Sequence, residues 1–235
     1  MARDWHLMVL FCDYISRQVQ ADSLAALVAG QLAGAIDRKG RASLAVPGGS
    51  TPAAFLRKLS QADISWQHVS IMLTDERWVP ESSARSNTKL LRENLLQSAA
   101  SKATLVPLFK PSERPEDVID DLEAGIRAAL PLDVCVVGMG TDMHTASLFP
   151  GALGLTDAMT MDCPRLLIPV HPQDQEARVT LTAPALCNAE NLHILFNGPE
   201  KLVAYQVAEQ SGPVSDAPIR VILRAVTPVT VHYAQ

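Results

Sequence analysis

The sequence lacks a surplus of basic residues. Its 235 residues contain 20 Lys and Arg against 25 Asp and Glu, which gives a formal net charge of -5. Nucleic acids and acidic membrane surfaces are polyanions, and their general binders carry an excess of clustered basic side chains. The charge therefore argues against both partners, although it leaves room for a local basic pocket that binds a small anion.

The sequence also lacks the long apolar segments of membrane proteins and the leader of secreted ones. It has no run of about 18 consecutive apolar residues, and the apolar run Leu7–Cys12 is too short for the core of a signal peptide. No two of the four cysteines, Cys12, Cys135, Cys163 and Cys187, have CxxC spacing. This usage is typical of free thiols in a reducing compartment. We expect a cytoplasmic protein with no membrane partner.

Internal repeats, low-complexity tracts and Pro/Gly-rich linkers are absent too. Hydrophobic residues make up 48% of the chain and charged residues 19%, which excludes disorder because enough apolar surface is available to offset the ordering entropy. A chain of this size buries roughly 70–75% of the surface that its unfolded form exposes. We therefore expect one domain over residues 1–235.

Several motifs of metal and nucleotide chemistry are missing as well. The six histidines are scattered without HxxxH or HExxH spacing, so we expect no metal site. The loop Gly48–Pro52 is followed by no GK[ST] and has no GxSxG pattern, so it is neither a Walker A loop nor a nucleophile elbow. The sequence Gly138-x-Gly140 resembles the start of a dinucleotide fingerprint, but Met143 occupies the third glycine position.

What the sequence does contain is a repeated switch between helical and strand periodicity. Apolar residues recur at helical spacing from Leu24 to Ile36 and Gly40 follows as a stop, then comes a short apolar run ending at Val46. Ser50 or Thr51 is predicted to cap the next helix, with Pro52 at its first position. Further helices are predicted at Asn87–Leu96 (capped by Asn87), Pro115–Leu130 and Pro199–Glu209, and further strands at Val69–Leu73, Thr104–Phe109, Leu132–Val137, Arg165–Val170, Val179–Thr182, Leu192–Phe196 and Val229–Tyr233.

Strands that alternate with helices of this length predict right-handed crossovers. The fold class is therefore α/β, a Rossmann-like, mainly parallel, doubly wound sheet with helices on both faces. In such sheets ligands bind beyond the carboxyl ends of the strands, so the residues after each predicted strand are the candidates for chemistry.

The first candidate follows the strand that ends at Val46. Gly48 and Gly49 let main-chain N–H groups approach a ligand closely, and Ser50 and Thr51 lead into the N-terminus of a helix, which favours an anion. An ordinary strand–helix turn is the alternative. We favour a cradle for a phosphate group.

The second candidate is the pair of carboxylates Asp75 and Glu76 beside Arg77, after the predicted strand Val69–Leu73. Two carboxylates and a planar guanidinium group at a strand end could serve acid–base work or hold a phosphate. A solvated turn with a local ion pair is the alternative.

The third candidate is Asp142 with His144, after the predicted strand Leu132–Val137. Histidine is a natural general base near neutral pH, and a nearby carboxylate can orient its ring. Arg178 and Lys201 could complete a phosphate site, although each residue taken alone is better interpreted as a solvated surface charge.

These motifs resemble one known family, the 6-phosphogluconolactonases. They occur in family order and span nearly the whole chain, and together they are far more specific than any one of them. The matching segments are Gly48-Gly49-Ser50-Thr51-Pro52, Asp75-Glu76-Arg77-Trp78-Val79-Pro80 with Ser86-Asn87, Gly138-x-Gly140-x-Asp142-x-His144-Thr145-Ala146-Ser147-Leu148-Phe149-Pro150-Gly151, and Arg178-Val179-Thr180-Leu181-Thr182.

The resemblance implies a three-layer α/β sandwich related to glucosamine-6-phosphate deaminase. It also implies hydrolysis of 6-phospho-D-glucono-1,5-lactone to 6-phosphogluconate in the oxidative pentose phosphate pathway, without metal or organic cofactor. The partner is then a small sugar-phosphate lactone, and both a monomer and a homodimer stay open.

The resemblance also implies roles for individual residues. His144 would take a proton from the attacking water and Asp142 would orient it. Arg77 and Arg178 would contact the phosphate or the oxyanion, and Asp75 would line the sugar site or position Arg77. The phosphate would be held by the main chain of Gly48, Gly49, Ser50 and Thr51, with Lys201 as a further candidate.

One residue departs from the family pattern. Met143 stands between Asp142 and His144, where the family usually has glycine. If this position requires a positive φ, methionine strains the loop by about 1–3 kcal/mol. Two alternatives therefore stay open, a deaminase-like sugar-phosphate isomerase and a sugar-phosphate-binding protein with weak or no turnover. The isomerase is disfavoured because Ser147–Pro150 lacks the further acid that deaminases carry there.

Overall fold

The computed structural model describes residues 9–152, 155–173 and 175–235, so the start of the predicted run Leu7–Cys12 lies outside the described residues. Strands and helices alternate along most of the chain, as the periodicity predicts. The elements are β1 (Val9–Tyr14), α1 (Arg17–Lys39), β2 (Ala42–Val46), α2 (Ala53–Leu59), β3 (Val69–Leu73), β4 (Asp75–Arg77), α3 (Asn87–Asn94), β5 (Thr104–Leu105), α4 (Ile119–Ala129), β6 (Leu132–Gly138), β7 (Leu167–Val170), β8 (Arg178–Leu181), α5 (Ala183–Cys187), β9 (Ala189–Asn197), α6 (Pro199–Ala208), α7 (Arg220–Leu223) and β10 (Val229–Ala234).

The main sheet has seven strands in the order β1-β10-β9-β6-β2-β3-β5, and all its neighbours pair in parallel. From β2 the chain adds β3 and β5 on one side, then returns to add β6, β9 and β10 on the other. The strand order therefore reverses between β2 and β6. In an open α/β sheet this reversal leaves a crevice outside the carboxyl ends of the two strands. The predicted fold class is confirmed.

A second sheet was not predicted. It has three strands in the order β4-β8-β7 and is antiparallel, with Arg77 opposite Arg178 and Leu167 opposite Leu181. The segment Asp75–Arg77 reads as a turn in the sequence because it is short and charged. In the structure it is a strand that carries those charges to the edge of the crevice.

The long helix α1 packs on the main sheet. By length and composition alone it could also cross a membrane. Its buried residues lie at the spacing of one helical face, and Gly40 ends it in the left-handed conformation with φ 73°. We interpret α1 as a core helix, because its apolar face is covered by the sheet. The buried residues of α1 are Gln20, Ala21, Leu24, Ala25, Val28, Leu32 and Ala35.

Two predicted helix caps are wrong. Neither Ser50 nor Thr51 caps α2 with its side chain. Pro52 itself is the N-cap, and the turn before it is closed by main-chain atoms, with Ala53 N donating to Ser50 O at 3.4 Å. In α3 the cap is Ser86, whose Oγ accepts a hydrogen bond from Lys89 N. Asn87 is therefore the first helical residue, and its side chain is free for another contact.

Two predicted elements are shorter than expected. The strand predicted at Thr104–Phe109 is only Thr104–Leu105, because the ladder ends at Val106 and the following Pro107 has no N–H to donate. The helix predicted at Pro115–Leu130 breaks into a 3₁₀ turn, Pro115–Asp117, and α4. The break follows from the Asp117 carboxylate, which accepts from Arg114 N and closes the first turn on itself.

The four cysteines are free thiols, as predicted. Cys135 and Cys187 are buried, whereas Cys12 and Cys163 are half-buried. Burial raises the pKa of the Cys187 thiol to about 12, so this thiol stays protonated and unreactive at neutral pH.

A buried chain of hydrogen bonds crosses the interior between α1 and the strands β9, β10 and β1. Tyr14 Oη lies 2.9 Å from His232 Nδ1, His232 Nε2 lies 3.1 Å from His193 Nδ1, and His193 Nε2 lies 2.9 Å from Gln31 Oε1. Two neutral imidazoles satisfy all three contacts when each donates from Nε2 and accepts at Nδ1. Burial lowers the pKa of His193 to about 3 and that of His232 to about 4.

We predict that this pair makes the protein less stable in mild acid. Folded pKa values below 6.5 mean that the unfolded chain takes up protons first as the pH falls, so stability is present above about pH 6.5 and is lost below it. Between pH 7 and pH 5 each histidine should lower the free energy of unfolding by about 2 kcal/mol. Urea unfolding at both pH values measures this loss.

The matched variants are His193→Gln and, for an exposed histidine, His68→Gln. The first should reduce the loss between pH 7 and pH 5, and the second should leave it unchanged. Equal losses in all three proteins would contradict the prediction.

Candidate functional site

The site lies where the carboxyl ends of β2 and β6 meet. A pocket of about 250 Å³ opens there. It brings together nine of the ten predicted site residues, and the tenth, Asp142, contacts one of them. The lining residues are Pro47, Gly48, Gly49, Ser50, Thr51, Pro52, Asp75, Arg77, Asn87, Gly138, Met139, Gly140, His144, Ala146, Arg178, Leu195 and Lys201.

One wall of the pocket is the loop between β2 and α2. Gly49 has φ 88°, a conformation that costs little only for glycine. Gly48 packs against the side chain of Asn87 so closely that a Cβ atom there would lie 2.2 Å from the Asn87 Cγ. Both glycines are thus required by this course of the main chain, which places its polar groups along the pocket.

His144 also lines the pocket, and Asp142 lies beside it. Asp142 Oδ1 accepts two hydrogen bonds from His144, from its main-chain N at 3.2 Å and from its Nδ1 at 2.5 Å. The carboxylate accepts only, so Nδ1 carries the proton and Nε2 is the nitrogen left with a free lone pair. Gly140 makes room for this arrangement, because a Cβ atom there would lie 2.2 Å from His144 Nδ1.

Met143 adopts the left-handed conformation that the family glycine suggested. Its φ is 66°, and Ala146 in the same loop has φ 50°. The loop is held in this shape by main-chain hydrogen bonds, from Met143 N to Gly140 O, from Gly140 N to His144 O, and from Ile219 N to Met143 O. The strain at Met143 therefore does not displace His144 from Asp142.

Asp75 and Glu76 point to opposite sides of β4, as successive residues of a strand do. The Asp75 carboxylate lines the pocket, where Oδ2 accepts a hydrogen bond from Ser147 Oγ at 2.6 Å. Glu76 is fully buried on the other side. The two carboxylates therefore cannot act together as an acid–base pair, which corrects one of the two roles that the sequence suggested for them.

The Glu76 carboxylate fastens the N-terminus of α3 to β4. Its two oxygens accept five hydrogen bonds, from the main-chain N atoms of Arg77, Asn87 and Thr88 and from the hydroxyl groups of Ser86 and Thr88. A negative charge at a helix N-terminus is also favoured by the helix dipole. Glu76 therefore has a structural role.

Two arginines come from paired positions of the small sheet. The Arg178 side chain is 13% exposed, its Nη1 lies 3.9 Å from Asp75 Oδ2, and its Nη2 donates to Gln175 Oε1. Burial lowers the pKa of Arg178, with the Asp75 carboxylate opposing this effect. Its Nε has no hydrogen-bond partner among the described residues. A desolvated guanidinium group with an unused donor is suited to bind an anion.

Arg77 is held by main-chain and carboxylate contacts on the outer side. Its Nη1 donates to Arg85 O at 2.7 Å, and its Nε lies 4.0 Å from Glu176 Oε1. Lys201, in the first turn of α6, completes the cations around the pocket. Burial lowers the pKa of the Lys201 ammonium group, and the charge of Asp142 opposes this shift.

Sequence reasoning missed three contributors to this site. Asn87 was interpreted as a helix cap but lines the pocket. Ser147 binds Asp75 from the loop that carries His144. The Phe149 ring lies between the catalytic candidates, with its centroid 4.9 Å from that of His144 and 5.3 Å from Arg178 Cζ. All three belong to the quoted family motifs, which was the available signal.

In residues 9–152, 155–173 and 175–235, no three His, Cys, Asp or Glu side chains converge to hold an ion. The groups that line the pocket include one imidazole with its carboxylate partner, three cationic side chains and a glycine-rich loop.

Comparison with known proteins identifies relatives over nearly the whole chain. The family described as glucosamine-6-phosphate isomerases/6-phosphogluconolactonase matches residues 16–231. The 6-phosphogluconolactonase of Rhizobium meliloti (strain 1021) is 42% identical over 218 residues, covering 91% of this chain and 94% of the relative. That of Pseudomonas aeruginosa is 39% identical over 216 residues, with coverages of 91% and 90%. A crystal structure of a 6-phosphogluconolactonase from Shewanella baltica OS155 superposes with a TM-score of 0.90 at 34% identity, covering 97% of this chain and 98% of that one.

The left-handed conformation of Met143 leads to a prediction about stability. Met143→Gly and Met143→Ala both remove the side chain, but only glycine relieves the backbone strain. The glycine variant should therefore be more stable than the alanine variant by about 1 kcal/mol. Urea unfolding of the two variants measures the difference.

Gly30 provides the control for this comparison. It lies inside α1, and a Cβ atom there would meet nothing within 4 Å. Alanine should thus be favoured over glycine at position 30 by about 1 kcal/mol, so the sign of the Gly–Ala difference reverses between the two positions. An alanine preference at position 143 would show that this loop carries no strain.

A second prediction concerns Glu76. In Glu76→Gln one carboxylate oxygen becomes an NH₂ group, which then faces N–H and O–H donors whichever way the amide is turned. We expect the free energy of unfolding to fall by about 2 kcal/mol or more. Glu93→Gln, on the exposed side of α3, should change it by less than about 0.5 kcal/mol. Equal stabilities of the two variants in urea unfolding would contradict the capping role.

Proposed function

The chain belongs to the glucosamine-6-phosphate isomerase/6-phosphogluconolactonase family, and from this premise we propose how its pocket works. The reaction is the hydrolysis of 6-phospho-D-glucono-1,5-lactone to 6-phospho-D-gluconate in the oxidative pentose phosphate pathway. Water attacks the lactone carbonyl at C1, the bond between C1 and the ring oxygen breaks, and the ring oxygen takes up the proton removed from water to become the C5 hydroxyl group. The acid formed at C1 then ionises to a carboxylate. The protein must remove a proton from water, stabilise the oxyanion and hold the phosphate.

We propose that His144 is the general base. The observation that carries this proposal is the pairing of His144 Nδ1 with Asp142 at 2.5 Å in a pocket lined by cations. The pairing assigns the proton to Nδ1 and leaves Nε2 able to take a proton from water. As the imidazole becomes charged, the Asp142 carboxylate stabilises it. A positioned base of this kind contributes about 10²–10⁴ to the rate.

The three cationic side chains serve two groups, the phosphate of the substrate and the carbonyl oxygen that becomes negative in the transition state. The phosphate carries most of the negative charge, and the loop Gly48–Thr51 with Arg77 and Arg178 offers donors for it. The second negative charge develops on the carbonyl oxygen only in the transition state. We propose Lys201 for this role, because it lines the pocket and interacts with the charge of Asp142, and a fixed cation near that oxygen would lower the barrier without reorganising.

Holding the phosphate also serves the chemical step. The phosphate takes no part in bond making, so its binding energy can fix the lactone ring against His144 and the attacking water. Asp75, held by Ser147 Oγ at 2.6 Å, lines the pocket, and we propose that it binds the sugar hydroxyl groups.

We further propose that residues 1–235 act as one domain. The pocket supports this because the main sheet supplies the phosphate loop and His144, whereas the small sheet supplies Asp75, Arg77 and Arg178. Neither sheet alone carries a complete site. The proposed setting is the cytoplasm, as a monomer or a homodimer.

The test is lactone hydrolysis with substrate made in situ from glucose 6-phosphate. The wild-type protein should accelerate hydrolysis above the spontaneous rate. His144→Ala should lose about 10²–10⁴ of that acceleration, because the general base is gone. Asp142→Asn should lose part of it, because the amide no longer stabilises the charged imidazole.

His171→Ala is the control, since this histidine pairs with Glu116 away from the pocket. It should leave the rate unchanged. A His144→Ala variant that is folded and fully active would overturn the assignment of the base. Release of ammonia from glucosamine 6-phosphate by the wild-type protein would instead support the deaminase-like alternative.

A further inference from the structure

Among the described residues that line the pocket, Asn87 has the one buried polar side chain that the proposed mechanism does not use. We propose that Asn87 determines substrate specificity, because its Oδ1 accepts a hydrogen bond from a ring hydroxyl group of the sugar phosphate. The proposal rests on the proposed function for the identity of the substrate. It adds which chemical group of that substrate the protein recognises, and which protein atom makes the contact.

The orientation of the Asn87 amide is determined by its neighbour. Asn87 is 3% exposed, and its Nδ2 donates to the main-chain oxygen of Asp75 at 3.0 Å. Turning the amide over would bring its oxygen against the Asp75 carbonyl oxygen, two acceptors without a proton between them. Nδ2 must therefore face β4, and Oδ1 must occupy the other position.

Oδ1 of Asn87 has no hydrogen-bond donor among the residues that the structure describes. Asn87 lines the pocket, and its two hydrogen bonds to Glu76 and Asp75 are made by N and Nδ2, not by this oxygen. When a bound ligand excludes water from the pocket, an amide oxygen left without a donor costs about 1–3 kcal/mol. A ligand that donates a hydrogen bond to this oxygen avoids that cost.

Two further contacts hold the amide rigidly. The first is Gly48, since a Cβ atom there would lie 2.2 Å from Asn87 Oδ1, so the amide lies flat on the main chain of the phosphate loop. The second is Glu76, whose Oε1 accepts from Asn87 N at 2.8 Å and whose Oε2 accepts from Thr88 N at 2.7 Å. The main chain on both sides of the Asn87 side chain is therefore fixed, and the acceptor cannot swing away.

An acceptor selects one class of group in the substrate. Phosphate and carboxylate oxygens accept hydrogen bonds at neutral pH, so an amide oxygen repels them, whereas a hydroxyl group donates. The pocket thus offers donors to the phosphate from Arg77, Arg178 and the loop Gly48–Thr51, and it offers one amide acceptor, Asn87 Oδ1, beside Gly48. The lactone ring carries hydroxyl groups at C2, C3 and C4, and this arrangement predicts that one of them meets Asn87.

The experiment is a cycle of substrates and variants. Wild type and Asn87→Ala are compared on the parent lactone and on its 2-deoxy, 3-deoxy and 4-deoxy analogues, with kcat/KM as the measure. For one analogue, wild-type kcat/KM should fall about 10- to 100-fold relative to the parent, because the acceptor is then left without a donor. In Asn87→Ala, kcat/KM for that analogue should equal kcat/KM for the parent lactone.

Two other variants complete the cycle. Asn94→Ala changes the same residue type on the same helix, where the side chain binds Arg57 and Leu90 O outside the pocket, and it should keep the wild-type discrimination. Asn87→Ser keeps a short polar side chain at this position but has no amide oxygen, so it should lose the discrimination as Asn87→Ala does. It serves as the test if Asn87→Ala does not fold.

The results separate this proposal from the proposed function. Equal losses for every analogue in wild type and Asn87→Ala would overturn the role of Asn87, and so would a wild type that hydrolyses all four lactones equally. Calorimetric titration with 6-phosphogluconate and its deoxy analogues repeats the cycle without turnover. A protein that does not accelerate lactone hydrolysis but shows the coupling in binding would overturn the proposed function and retain the role of Asn87.

Discussion

The parallel pairing of β2 with β6 is the constraint on which the rest of the site depends. Leu44 lies opposite Val134 and Ala45 opposite Cys135, in the buried middle of the main sheet, so both strands end at the same edge. The phosphate loop leaves one strand and the His144 loop leaves the other, and their separation is set by the width of the crevice between them. The position of the His144 loop relative to the phosphate loop follows from this register, because a slip of one residue would turn the side chains of a strand to the opposite face.

The sequence predicted this part of the molecule well because its signals are local. Apolar runs with glycine at their ends predict buried strands followed by close turns, and the carboxyl-edge rule then brings the turns together. The positive φ of Met143 could also be anticipated, since glycine is the residue that such a position favours. The roles of the individual site residues stay predictions, which the variants proposed above test.

The sequence predicted the small sheet and the roles of its residues poorly, because these depend on distant contacts. Nothing local indicates that Asp75–Arg77 is a strand, since its partner β8 lies about a hundred residues further along the chain. The opposite directions of Asp75 and Glu76 follow only once that strand exists. Asn87 was assigned as a cap because asparagine favours that position, but Ser86 takes it, and the competing partner, Asp75 O, comes from another element.

The residues of the site thus come from two sheets, and folding of the whole chain is needed to bring them together. The imidazole belongs to the main sheet, and Arg77 and Arg178 belong to the antiparallel one. A phosphorylated ligand that touches both halves binds the fully assembled chain and not a partly assembled one, so its binding is linked to assembly by mass action. Substrate or product in the cell would then act on the lifetime of the protein as well as on its turnover, since saturation protects the small sheet from local opening and from the proteolysis that follows it.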